Sequence, residues 1–138
     1  MKSIQHISVL TILLMASCAL VSDFDQNSYS ATTEIKMLAV ALVSKGLEPA
    51  STHASEIAYL EAKLSAQLAY EDGKGKTNKL TAEQWRILIS YDHNLLGAFL
   101  KDWKSGIPLS AAYVAEKKIQ VGEAFDEILR LEGSKAKG

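Results

Sequence analysis

The chain predicts an all-α protein, a compact antiparallel four-helix bundle, on three observations. Apolar residues recur at spacings of three and four through most of the sequence beyond residue 30. No run alternates apolar and polar residues cleanly enough for a half-buried strand. Two prolines and eight glycines in 138 residues are too few for a turn-rich β fold. The length predicts one domain. A content of 48% hydrophobic and 22% charged residues is that of a globular protein and excludes a disordered or collagen-like chain. Four segments with mostly short loops favour antiparallel neighbours.

The first helix is predicted from about Ser30 to Lys45. Met37 to Val43 is apolar nearly all round, which predicts burial on more than one side. Ser30 or Thr32 caps its start and Gly46 ends it. The second helix has Pro49 in its first turn and runs to about Glu71. Ile57, Leu60, Leu64 and Leu68 form its apolar stripe, with Ala58, Ala62, Ala66 and Ala69 beside it. Gly73 stops it, and residues 72–79 form a polar loop with three lysines.

The third helix opens on Leu80-Thr81-Ala82-Glu83-Gln84-Trp85. Thr81 and Gln84 have the spacing of a capping box, and Leu80 with Trp85 that of a hydrophobic staple. Its stripe continues through Leu88, Ile89, Leu95, Leu96, Phe99, Leu100 and Trp103. Asp92 falls inside the stripe, where an unpaired carboxylate is costly, so a break is predicted near residues 91–94 with Asp92 recapping the next segment. Gly106-Ile107-Pro108 closes that segment. The last helix runs from about Ala111 to Glu132 with Ser110 as its cap. Val114, Val121, Phe125, Ile128 and Leu129 share its buried face, and Gly122 admits a close neighbouring helix. Gly133 ends it.

The N-terminus has a different character. Lys2 precedes a short apolar run from Ile7 to Ala16, the layout of a secretory signal peptide. At about 1.5 Å per residue this run is far short of a bilayer span of ~30 Å. Met15-Ala16-Ser17-Cys18 follows, an aliphatic residue, two small residues and the chain's single cysteine. This segment resembles the lipobox of bacterial lipoproteins. The resemblance implies cleavage before Cys18 and acylation, including palmitate, of that cysteine. Ala19 after it implies an outer-membrane anchor facing the periplasm. The organisation that follows is a signal peptide over 1–17, a lipid-anchored tether over 18–29 and a helical domain over 30–138. A plain signal peptide cut nearby is the alternative.

The helical segments carry little recognisable chemistry. A formal net charge of -1 offers no basic excess for nucleic acid. A di-iron bundle needs Glu-x-x-His on two helices, and that motif is absent. His53 and Glu56 could donate two metal ligands, but His53 reads more simply as a first-turn surface residue, and no metal or cofactor is expected. Asp92-His93 is the one acid–histidine pair at a discontinuity; it reads as a capping aspartate beside a solvent-facing histidine. Gly73-Lys74-Gly75-Lys76-Thr77 looks like the end of a phosphate-binding loop, but Tyr70 stands where the first glycine belongs. It reads as a flexible basic turn. No nucleophile elbow exists.

The expectation is a non-enzymatic envelope lipoprotein, a small helical module held at the membrane by lipid on Cys18 and binding another envelope protein. The face of Leu95, Leu96, Phe99, Leu100 and Trp103 is the candidate partner or ligand surface, with core packing as its other reading. Two alternatives stand beside it. One is a small-ligand carrier, in which Trp85, Phe99, Trp103 and Phe125 with Gly97, Gly122 and the alanine stripe frame an apolar cavity. The other is a mobile-element exclusion or immunity lipoprotein.

Overall fold

The computed structural model describes residues 21–137; the segment expected to be a signal peptide, and Cys18, lie outside them. Among the described residues there are five α-helices: α1 (Gln26–Val43), α2 (Ala54–Gly73), α3 (Lys79–Ile89), α4 (Leu96–Lys104) and α5 (Ala111–Lys135). Short 3₁₀ turns, Ala50–His53 and Lys76–Asn78, lead into α2 and α3. The described residues contain no strand. The protein is all-α. α1 packs on α2 and α5, and α3 packs on the same two helices. α4 lies against α3, α5 and the turn before α2. None of these helices is long and apolar enough to cross a membrane.

One core joins all five. Ile35, Leu42 and Val43 of α1 meet Ile57, Leu60 and Leu64 of α2, with Trp85, Leu88, Phe99, Val121, Phe125 and Ile128 from the other three helices. Trp85 and Phe125 meet edge to face at 5.8 Å, and Phe99 lies 5.6 Å from Trp103. Such contacts add to the burial of large rings.

The break in the third segment falls between Ile89 and Leu96, and its cause is visible. Asn94 adopts a left-handed φ of 55°, a conformation asparagine tolerates better than most residues. Buried Lys117 of α5 donates to the Asn94 carbonyl at 2.5 Å and to its Oδ1 at 2.7 Å. Gly97 then allows the chain to turn back, because a Cβ there would sit 2.1 Å from the Ile89 carbonyl oxygen. Asp92 does not recap α4. It is exposed, its amide donates to Ser90 Oγ, and α4 begins at Leu96 behind Leu95, with no side-chain cap.

Other expectations shift as well. α1 starts at Gln26, because Asp25 accepts from the Asn27 and Ser28 amides at 2.8 and 3.2 Å. Residues 26–29 are therefore helix and not tether, and neither Ser30 nor Thr32 is the cap. Met37 and Ala41 are exposed, so the apolar run of α1 is buried on one side only. Thr81 is not a cap. The 3₁₀ turn feeds directly into α3, leaving Thr81 buried inside the first turn, and Leu80 is exposed, so no staple forms with Trp85. The alanine stripe of α2 faces solvent. Gly122 faces open space, not a close helix, and Gly133 lies within α5, which runs on to Lys135. Ser110 caps α5 as expected, accepting from the Tyr113 amide.

Candidate functional site

The helix directions divide the polar chemistry between two ends. At the near end α1 begins, α2 and α5 finish, and α3 begins. Here Glu71 is fully buried on the last turn of α2. It accepts from Ser28 Oγ, from Gln67 Nε2 at 2.8 Å and from Asn78 Nδ2 at 2.7 Å, and it pairs with Lys74 Nζ at 3.0 Å. Lys74 also reaches Asp25 at 2.8 Å, and the Tyr70 hydroxyl donates to the same carboxylate at 2.6 Å. A second buried pair, Glu132 with Lys135 at 2.7 Å, lies alongside. Glu132 accepts from the Asp25 amide, and Lys135 donates to Asn78 Oδ1 and Thr81 Oγ1.

Burial alone would push the Glu71 carboxyl up, but the donors Ser28, Asn78 and Lys74 hold it below its ordinary value. Burial likewise works against Lys74 as a cation, yet Asp25 and Glu71 raise its affinity for the proton. Asp25 is held far below the usual carboxylate range in spite of its desolvation, by hydrogen bonds from Lys74 and Tyr70. Asp25, Glu71 and Lys74 therefore stay ionised at neutral pH. What they do is electrostatic fastening, since a permanently ionised, fully hydrogen-bonded carboxylate has little to offer as an acid or base. Lys74 belongs to this cluster, so the expected basic turn has lost one of its three lysines to the interior.

The same end holds the incoming chain. The Ser22 amide donates to the Thr77 carbonyl at 3.0 Å and its hydroxyl to Asn78 Oδ1 at 2.9 Å. Beside it Val21, Leu80 and Leu131 line a cleft of about 540 Å³ whose walls are mainly carbon.

At the far end His53 is buried, against the expectation of a surface residue. Its ring lies 5.6 Å from that of Trp103. Nδ1 is 2.8 Å from Glu56 Oε1 and Nε2 is 2.5 Å from Glu48 Oε2. The Trp103 indole in turn donates to the Glu48 carbonyl at 2.8 Å. Hydrogen bonds to Glu56 and Glu48 raise the His53 pKa. Both ring nitrogens are thus committed to carboxylates. No group of three or more metal-ligating side chains occurs among the described residues. Asp92 and His93 lie exposed in the loop between α3 and α4.

The residues singled out from the sequence as a partner or ligand face are core residues. Leu96, Phe99, Leu100 and Trp103 are buried, Trp103 to 3% exposure, and Leu95 packs at the margin. Their side chains are given mainly to the interior. The large aromatics pack against one another between the helices, and the Ile89 carbonyl lies against Gly97. Exposed apolar side chains stand at both ends, Val21 and Leu80 at the near end and Leu47 and Ile107 at the far end, and also along the helices, at Met37 and Ile119. The far-end pair flanks a cleft of about 320 Å³ that reaches Trp103.

Sequence reasoning missed the near-end cluster because its members come from four separated segments. One signal was present. Asp25 before a polar turn that leads into apolar periodicity is an N-cap signature, and it was masked by the mixed composition around it. The chain matches no protein-family model, no curated protein and no solved structure.

Proposed function

We propose that this protein is a non-enzymatic envelope lipoprotein, anchored through lipid on Cys18, which presents a small rigid helical module at the membrane surface to another envelope protein. The observation that carries the reading is Met15-Ala16-Ser17-Cys18 behind a short apolar run, with Cys18 the only cysteine of the chain. The fold is in keeping with it. Chain fastened at Ser22 lies four residues beyond Cys18, so lipid and domain are closely joined. The one buried histidine among the described residues, His53, is held between two carboxylates and an indole, which supports a fastening role over a catalytic one. Ala19 favours the outer membrane, facing the periplasm.

Metabolic labelling tests this directly. Cells fed labelled palmitate should incorporate the label into the wild-type protein and not into Cys18→Ser, which should be misprocessed or released from the membrane fraction. Unlabelled wild-type protein in the soluble fraction would overturn the proposal.

A further inference from the structure

The distance between the anchor and the folded domain carries a second conclusion. Ser22 is fixed by its bonds to Thr77 and Asn78. It stands four steps along the chain from Cys18, with Ala19, Leu20 and Val21 between them, and an extended chain covers at most about 3.3–3.6 Å per step. If Cys18 carries lipid, Ser22 lies within about 14 Å of the bilayer surface. The near end is therefore the end that meets the membrane.

The chemistry of that end suits the encounter. Val21 and Leu80 are 58% and 63% exposed, on a cleft whose walls are mainly carbon. Lys76 and Lys79 stand exposed on the same rim. They pair with no carboxylate among the described residues, as is also true of Lys101, Lys118 and Lys137, whereas Lys36, Lys45, Lys63 and Lys104 do pair. Glu83, the acid on this cleft, is engaged by Arg86 at 3.2 Å. Exposed apolar side chains beside two unpaired lysines match the boundary between acyl chains and anionic headgroups.

We propose that the near end is a bilayer-docking face, with Val21 and Leu80 at the headgroup level and Lys76 and Lys79 on anionic lipid. The proposal rests on the lipid anchor. It fixes the orientation of the domain, with the Leu47–Ile107 end directed away from the membrane.

The test uses the lipidated full-length protein in vesicles of phosphatidylglycerol and phosphatidylethanolamine. Leu80→Cys and Ile107→Cys, both at exposed positions, receive a fluorescent probe, since acylated Cys18 has no free thiol. Headgroup-spin-labelled lipid should quench the probe at position 80 several-fold more than the probe at 107. Adding Lys76→Glu with Lys79→Glu should reduce the quenching at 80. Equal, weak quenching at both positions in palmitate-labelled protein overturns the docking face and leaves the anchor standing. Protein that carries no palmitate overturns both. Crosslinking of position 80 to itself without lipid quenching assigns this face to a second copy of the chain, and also overturns the proposal.

Discussion

An imidazole with a carboxylate on each nitrogen holds its second proton longer than one in water. His53 is so placed, between Glu48 and Glu56, and Lys45 faces it across Glu56 at 2.7 Å. Its pKa is raised from the ordinary 6.5 by hydrogen bonds to Glu56 and Glu48. A raised folded-state value means that the stabilisation is complete below the unfolded value and is lost as pH rises through the folded one. Glu56 is lowered from 4.5, chiefly by Lys45 and then by His53, so its contribution runs the opposite way and is lost in acid. Relative to His53→Gln, which has no proton to lose there, the melting temperature of the wild type should therefore fall as pH rises above the ordinary histidine value of about 6.5. Parallel curves for the two proteins would show that the imidazolium contributes nothing. Local pattern could not place His53 inside, because what buries it is Trp103, fifty residues further on. The same distance explains why Leu96, Phe99, Leu100 and Trp103 were legible as one apolar stripe but not as core or interface.

Helices and their junctions were more legible than single residues. The apolar stripes of α2, α3 and α5 and the break between α3 and α4 follow from periodicity and from a carboxylate, Asp92, falling on the apolar stripe. The reason for the break's shape does not, since it depends on Lys117 reaching Asn94 from another helix. Helix starts fared unevenly. Ser110 is a cap, whereas the side chain of Asn78, at the start of α3, is consumed by Glu71, Ser22 and Lys135 and leaves α3 uncapped. Two glycines separate junction from helix interior. Gly97→Ala would drive a Cβ into the Ile89 backbone and should destabilise by about 1–3 kcal/mol, the usual cost of overpacking. Gly122→Ala meets open space inside α5 and should stabilise by about 0.5–1 kcal/mol, because alanine loses less chain freedom. Urea denaturation of both variants measures the difference, and effects of equal sign would contradict the geometry.

At the scale of the molecule, the helical class was readable from composition and spacing, but the boundary of the domain was not. Residues 19–29 have mixed composition and no period, yet residues 22–28 supply a cap, a buried serine and two tie points to the near end. A chain beginning at Ser30 loses the Asp25 cap and the bonds of Ser28 to Glu71 and Lys74. Thermal and urea melts should show it at least about 2 kcal/mol less stable than a chain beginning at Val21, from the cap and hydrogen bonds to charged groups together. Equal stabilities would return these residues to the tether.

The fastening at Ser22 also limits how far the protein can reach. The 25 residues of α5 extend about 37 Å at ~1.5 Å each. With a link of at most about 14 Å below it, the far end of the domain stays within roughly 50 Å of the lipid into which Cys18 would be set. A partner standing further off must lean down to meet it, so lengthening the link by insertion before Val21 would change which neighbours the module can touch without altering a single contact surface.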